Sequence, residues 1–142
     1  MSEKDNPSVE EIVKNPTLDP IIEDIDGMFM YNTMGQLDEL INRSKVVVLF
    51  SGTTCTPCLY IEKVIEESED MRSLVESEGL KIIKVNSGFP KFFGIYQQYG
   101  PKEVRPSVPQ IVAWDHGQRI GEVMSKVNAE EAVRQISLFY TT

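Results

Sequence analysis

One stretch constrains the fold of this chain more than any other: five consecutive apolar residues that lead into a pair of cysteines. Residues 46–50 comprise three valines, a leucine and a phenylalanine, a composition typical of a strand that is buried on both faces. Gly52 ends the run. After a short loop, Cys55 and Cys58 open a long helical pattern, with Pro57 near its first turn, where a missing N–H costs nothing. The sequence therefore predicts a buried strand followed by a cysteine at the start of a helix.

The position of the two thiols indicates their chemistry. A cysteine at a helix N-terminus lies among unpaired N–H groups at the positive end of the helix dipole, which favours the thiolate over the thiol. The thiolate is the reactive form, and a second thiol three residues later can resolve a mixed disulfide. Two inert core cysteines or half of a zinc site are the alternatives, but four-coordinate zinc needs two further ligands and the chain has one histidine and no other cysteine. The spacing of Cys55 and Cys58 therefore favours disulfide exchange.

The cellular compartment bears on how the cysteine pair is interpreted. The first residues of the chain lack the apolar run of a signal peptide, and no stretch of the 142 residues is long and apolar enough to span a bilayer. We therefore expect a cytoplasmic protein. In that reducing compartment a single C-x-x-C motif is more often catalytic than structural.

The net charge of −8 is concentrated in the first part of the chain. Residues 1–26 carry eight acidic and two basic side chains, whereas the remaining residues carry fourteen acidic and twelve basic ones. A negatively charged protein repels phosphate backbones and anionic lipids, so neither nucleic acid nor a membrane is expected as a partner. We predict an acidic N-terminal extension over residues 1–27 and a single folded domain over residues 28–142.

Apolar periodicity divides the folded part into alternating strands and helices. Strands are predicted over residues 28–32, 46–50, 80–85, 110–114 and 118–124. Helices are predicted from residue 33, from residue 55 to Gly79 with a break near residues 68–70, over residues 91–99, and from residue 128 onwards. The order β-α-β-α-β-α-β-β-α implies parallel strands joined by right-handed crossovers, followed by a hairpin that turns at residues 115–117.

The motif and the element order together resemble the thioredoxin family. The usual family motif is Cys-Gly-Pro-Cys between a buried strand and a helix, and this chain has Cys-Thr-Pro-Cys at residues 55–58. The resemblance extends over residues 28–142 and implies an α/β thioredoxin fold, in which a central mixed β-sheet is flanked by helices. It also implies the roles of the two thiols: Cys55 attacks the substrate disulfide, and Cys58 resolves the mixed disulfide.

A second segment resembles the substrate-binding side of the family site. Residues 107–110, Ser-Val-Pro-Gln, match the segment in which a cis-proline precedes a strand and faces the cysteine pair. The resemblance implies a cis bond at Pro109 and a backbone edge at Val108 that pairs with an extended substrate. Thr54, Thr56 and Pro57 are the expected substrate contacts around the cysteines. Because Thr54 replaces the usual tryptophan and Thr56 the usual glycine, we expect a substrate range unlike that of a general-purpose thioredoxin.

One family feature is only half present. Lys84 matches the family's buried lysine, which is paired with an aspartate on the central strand and takes part in proton transfer to the resolving cysteine. The aspartate position is Leu49 in this chain. Without that carboxylate the usual proton relay is incomplete, and we expect Lys84 to lie at the end of its strand with its ammonium group in water.

The resulting interpretation is a thiol–disulfide oxidoreductase that reduces protein disulfides through a Cys55/Cys58 cycle. The resemblance implies disulfide-containing protein substrates, a thioredoxin-reductase-type electron donor, a monomer, no metal, and no cofactor beyond the redox-active disulfide itself. Two alternatives stay open. One is a glutaredoxin-like enzyme that uses glutathione, although no basic cluster near Cys55 is evident to hold glutathione carboxylates. The other is a thioredoxin-fold binding protein in which the cysteines matter little.

Overall fold

The alternation of apolar strands and amphipathic helices is observed in the computed structural model of the chain, which describes residues 22–24, 33–88, 90–100, 107–125 and 128–140. The strands are β1 (Ile22–Asp24), β2 (Lys45–Ser51), β3 (Lys81–Asn86), β4 (Gln110–Asp115) and β5 (Gln118–Ser125). The helices are α1 (Thr33–Arg43), α2 (Thr56–Glu67), α3 (Glu69–Glu78), α4 (Phe92–Tyr99) and α5 (Ala129–Tyr140). This is the predicted order, with the second helix divided into two pieces.

The five strands form one mixed sheet in the order β1-β3-β2-β4-β5. β3 pairs in parallel with both β1 and β2, as expected for strand–helix–strand units. β4 runs antiparallel to β2, and β5 runs antiparallel to β4. The strand that precedes the cysteines is therefore the middle strand of the sheet. The segment that carries the two cysteines, residues 52–58 (the cysteine loop), follows the carboxyl end of this strand.

Helices cover both faces of the sheet, which explains why β2 is apolar along its whole length. Val47 and Leu49 pack on one face with apolar residues of α2, α3 and α5. Val46, Val48 and Phe50 pack on the opposite face with apolar residues of α1 and α4. Successive side chains of a strand point to opposite faces, so a strand between two cores needs an apolar residue at every position.

Three predicted boundaries are confirmed. The long helical pattern after the cysteines breaks at Ser68, whose hydroxyl accepts a hydrogen bond from the Met71 N–H (3.2 Å) and thereby starts α3. Gly79 ends α3 in the left-handed conformation, with a φ of 70°. The β4–β5 hairpin turns at His116 and Gly117, which both have positive φ, as a two-residue hairpin turn of type I′ requires.

The first strand differs from the expectation. Residues 28–32, predicted as the first strand, lie outside the described residues. The structure places β1 at Ile22–Asp24, inside the range assigned to an N-terminal extension, and pairs it with β3. Ile22 is in register with Ile82 and is buried in the same core, because an apolar residue at this position completes one face of the sheet. The boundary at residue 27 stays a prediction, but these three residues belong to the sheet.

Candidate active site

The cysteine pair lies directly after the central strand, at the start of α2. β2 ends at Ser51, a short turn follows, and Cys55 is the N-cap residue of α2 with an extended backbone. Its Sγ accepts a hydrogen bond from the N–H of Cys58 (3.1 Å), and Pro57 lies in the first turn, where no N–H is required. The Cys55 sulfur thus occupies a position in which N–H groups and the helix dipole stabilise negative charge.

The two sulfurs are joined in a disulfide and differ in their exposure. The Cα atoms of Cys55 and Cys58 lie 5.2 Å apart. Cys58 is completely buried, whereas Cys55 is partly exposed. A sulfur of a second molecule can therefore reach Cys55 without displacing core residues. This difference agrees with the order of attack expected from the sequence, although the roles of the two sulfurs stay predictions.

The segment before β4 lies against the cysteine loop. The Val108–Pro109 peptide bond is cis, as predicted. A Cβ atom placed on Gly52 would lie 3.0 Å from Val108 Cγ2 and 3.1 Å from Cys55 Cβ, so glycine at this position allows the two segments to approach each other. Val108 and Pro109 are both partly exposed. The structure thus brings the predicted substrate edge next to Cys55, while its pairing with a substrate stays a prediction.

The other predicted contact residues surround Cys55. Thr54, Thr56 and Pro57 are exposed on the turn and on the first turn of α2. The loop after β3, to which sequence reasoning assigned no role, lies next to them, because the Ser87 N–H donates a hydrogen bond to the Ser51 carbonyl (2.8 Å). A molecule that docks on Cys55 therefore meets side chains from two loops.

The expectation that the Lys84 ammonium group lies in water is wrong. Its Nζ donates a hydrogen bond to Oε1 of Glu62 (3.1 Å), and the Lys84 and Glu62 side chains are only 18% and 13% exposed. The other carboxylate oxygen, Oε2, accepts a hydrogen bond from the Ser51 hydroxyl (2.6 Å). Lys84 is the register partner of Leu49. The carboxylate beside Lys84 therefore comes from helix α2 and not from the central strand.

Glu62 is the candidate residue that sequence reasoning missed. Its charge groups it with the exposed acidic residues of α2, such as Glu66 and Glu67. Its spacing indicates otherwise, because at about 100° per residue Glu62 lies on the side of the helix that carries Cys58 and Ile65. Both of those residues are buried. The interval of four residues from Cys58 is the signal that could have identified it.

Other kinds of site are not evident in the part of the chain that the structure describes. Among those residues, no cluster of three or more His, Cys, Asp or Glu side chains is placed to hold a metal ion. No helix among them is long and apolar enough to cross a membrane. The groups brought together around the cysteine loop are thus two sulfurs, the Val108–Pro109 segment and the Glu62–Lys84 ion pair.

Comparisons with known proteins place the chain by its fold. No protein-family model matches it, and no curated protein matches it. A mutant thioredoxin from Halobacterium salinarum NRC-1 aligns with a TM-score of 0.58 and 21% identity, over 87% of this chain and 95% of that chain. For oxidised thioredoxin O1 from Arabidopsis thaliana the TM-score is 0.63 and the identity 14%, over 84% and 98% of the two chains. For oxidised thioredoxin from Plasmodium falciparum they are 0.60 and 18%, over 85% and 99%.

At such low identities these similarities concern the fold. The chain has the thioredoxin fold, as the resemblance implied from the sequence. The two sulfurs, one partly exposed and one buried, are the groups at this site that can carry out thiol–disulfide exchange.

Proposed function

We propose that this protein is an oxidoreductase that reduces the disulfides of protein substrates through a Cys55/Cys58 dithiol–disulfide cycle. The observation that carries the proposal is the contrast between two sulfurs at one helix N-terminus. Cys55 is partly exposed and its Sγ accepts a hydrogen bond from the Cys58 N–H, whereas Cys58 is fully buried. A nucleophilic thiolate has to be both accessible and stabilised, and Cys55 meets both conditions.

The first half of the cycle forms a mixed disulfide. The Cys55 thiolate attacks one sulfur of the client disulfide, and a new S–S bond joins Cys55 to the client. The client S–S bond breaks, and its other sulfur leaves with the electron pair as a thiolate that takes a proton from water. The client has then released one thiol and remains attached to Cys55 through the other sulfur.

The second half of the cycle releases the client. Cys58 loses its proton and attacks Cys55 Sγ, so that the bond between Cys55 and the client breaks and the second client sulfur leaves as a thiolate. The client has gained two electrons and two protons, and the cysteines form the disulfide present in the structure. A thioredoxin-reductase-type donor returns the two electrons and restores the dithiol.

The proposed client-binding surface consists of the residues around Cys55. An extended client segment pairs with the backbone at Val108, next to Pro109, in the manner of an added strand. Thr54, Thr56 and Pro57 are exposed beside the reactive sulfur. Small polar side chains at two of these positions leave room for bulky client residues next to the disulfide.

Two serine substitutions test the proposed roles. We expect Cys55→Ser to abolish the reduction of an insulin-type disulfide, since it removes the attacking sulfur. We expect Cys58→Ser to form mixed disulfides that persist, since the attacking sulfur is kept and the resolving one is lost. Turnover with an electron donor and non-reducing electrophoresis with client proteins measure the two effects. Equal residual activity in both variants would contradict the assignment.

A further inference from the structure

Ser107, the residue before the proposed client-binding edge, is held by two side chains that have no part in the cycle described above. Its N–H donates a hydrogen bond to the hydroxyl oxygen of Tyr96 on α4 (3.3 Å). Its own hydroxyl oxygen accepts a hydrogen bond from Nε2 of Gln110, the first residue of β4 (2.6 Å). The chain just before Val108 is therefore tied to a helix by one bond and to a strand by the other.

The hydroxyl of Tyr96 has a fixed position because the ring that carries it is packed in the core. Tyr96 is 1% exposed. The ring centroids of Phe50 and Phe92 lie 5.0 Å and 5.7 Å from its own. Side chains that interdigitate in a close-packed core occupy a defined rotamer. The bond from the Ser107 N–H thus ends on an atom that the core holds in place.

Gln110 is a polar residue at a position that suits an apolar one. It is 3% exposed. Its register partner Phe50 and its same-face neighbour Val112 both belong to the core on the side of the sheet that α1 and α4 cover. Among the described residues, its Oε1 has no hydrogen-bond partner. A buried amide with an unpaired oxygen costs free energy, so stability is a weak reason for a glutamine here. Its bond to Ser107 indicates another one.

The proposed client-binding surface needs a defined backbone at Val108. An added strand pairs through the N–H and C=O groups of the chain that receives it. Pro109 has no N–H to offer, so Val108 supplies the donor of this edge. An edge that becomes ordered only when the client arrives loses binding free energy to that ordering. The two bonds to Ser107 order the peptide unit that contains the Val108 N–H before the client binds.

We propose that Tyr96 and Gln110 are positioning residues, which act through Ser107 to hold the backbone of Val108 in the conformation that pairs with an extended client segment. The inference rests on the proposed function and assigns to these two side chains a preference for disulfides that are flanked by extended peptide. A disulfide without flanking peptide has no backbone to pair and should react independently of them. The expected effect is a change in substrate preference at an unchanged reactivity of Cys55.

Two substrates with the same reacting disulfide and different lengths of backbone test the inference. In one, a coloured aromatic thiol is joined by a disulfide to the central cysteine of a short alanine-rich peptide. In the other, the same thiol is joined to a single cysteine that is capped at both ends. The Cys55 thiolate forms an S–S bond to the substrate cysteine, and the aromatic sulfur, the better leaving group, departs with the electron pair as a coloured thiolate. Stopped-flow absorbance with the reduced protein gives a second-order rate constant for each substrate, and their ratio measures the contribution of the flanking backbone.

Two informative variants each remove one of the bonds to Ser107. Tyr96→Phe removes the hydroxyl that accepts the N–H, and Gln110→Met removes the amide and keeps the length of the side chain. Tyr99→Phe is the matched control, because it removes a tyrosine hydroxyl from the same helix, and that hydroxyl donates to Asp38 on α1. The control therefore loses a similar bond that does not involve Ser107.

We expect the rate constant for the peptide substrate to fall about 5-fold in Tyr96→Phe and in Gln110→Met, as the loss of one ordering hydrogen bond predicts. The rate constant for the capped cysteine should keep its wild-type value, and Tyr99→Phe should keep the wild-type ratio. Urea unfolding should show Gln110→Met to be at least as stable as the wild type, since no unpaired amide oxygen is then buried. If the two core variants fail to fold, Ser107→Ala at an exposed position removes the bond to Gln110, and the same 5-fold fall is expected.

The outcomes separate this inference from the proposed function. Wild-type protein that releases no coloured thiolate from either substrate contradicts the dithiol cycle itself, and the inference with it. Wild-type protein that reacts with both substrates leaves the attack by Cys55 intact. In that case the positioning role is overturned if the ratio stays unchanged in Tyr96→Phe, Gln110→Met and Ser107→Ala, if it falls equally in Tyr99→Phe, or if both substrates slow by the same factor.

Discussion

At Gly52, between the central strand and Cys55, the structure has room for a hydrogen atom and little room for a methyl group. A Cβ atom there would lie 3.0 Å from Val108 Cγ2 and 3.1 Å from Cys55 Cβ. Carbon atoms pack favourably at about 3.5–4.0 Å, so a side chain would push the two segments apart. The spacing of the proposed substrate edge and the attacking sulfur therefore depends on a residue that takes no part in the chemistry.

This dependence predicts an effect of Gly52→Ala on both stability and reactivity. We expect the free energy of unfolding to fall by about 1 kcal/mol, as overpacking of a tight site does, and the reduction of an insulin-type disulfide to become slower. Urea unfolding and turnover with an electron donor measure the two quantities. Gly94→Ala is the matched control, since a Cβ at this exposed position of α4 meets no atom within 4 Å. A Gly52→Ala variant that behaves like Gly94→Ala would contradict the close approach.

The site residues differ in how far the sequence could predict them. Cys55 and Cys58 stand in a local motif, and the motif also fixes their positions at the helix start. The environment of Lys84 depends on a contact between α2 and β3, and such a contact between distant segments leaves no local pattern. Glu62 was missed for a further reason: charged residues are almost never buried without a partner, and its partner is 22 residues away in the chain.

At the scale of elements, apolar patterning predicted the segments that are long or clearly bounded. β2 was evident from its continuous apolar run. The break between α2 and α3 was predicted near residues 68–70, and the structure shows that Ser68 caps α3 there. β1 was not predicted, because its three residues include two acids and are too short to show a period. Ile22 is buried only through its pairing with β3, which is a tertiary effect.

The membership of β1 in the sheet predicts an effect of Ile22→Ala. Ile22 is 6% exposed, and removing three buried carbon atoms should lower the free energy of unfolding by about 2 kcal/mol, near the low end of the range for such changes because the strand is at the sheet edge. Urea unfolding measures the difference. Leu138→Ala on α5 is the control, since Leu138 is 61% exposed and its loss should change stability by less than about 0.5 kcal/mol. Equal effects of the two substitutions would place Ile22 in a solvated extension.

For the whole molecule, the order of elements predicted parallel pairing through strand–helix–strand units and an antiparallel final hairpin, because crossover connections have one hand and antiparallel neighbours need only a short turn. The order of the strands in the sheet and the antiparallel pairing of β4 with β2 were not predicted from the pattern. The same topology occurs in solved thioredoxins that share 21% or fewer of their residues with this chain in the three alignments described above. The contacts between the last helix and the sheet were not predicted. The Tyr140 hydroxyl at the end of α5 shares its one proton between the carbonyls of Trp114 (2.9 Å) and Val46 (3.2 Å). Burial raises the pKa of this tyrosine above its ordinary value.

The proposed function of the whole molecule depends on a reversible exchange between the Cys55/Cys58 dithiol and its disulfide. Equilibration of the protein with a series of glutathione redox buffers, followed by quantification of the free thiols, measures the reduction potential of this pair most directly. The proposed reductant of protein disulfides should show a single two-electron transition at about −270 mV, the thioredoxin reference value. A potential at or above about −200 mV, or a pair that forms no disulfide in any buffer, would contradict the proposed function.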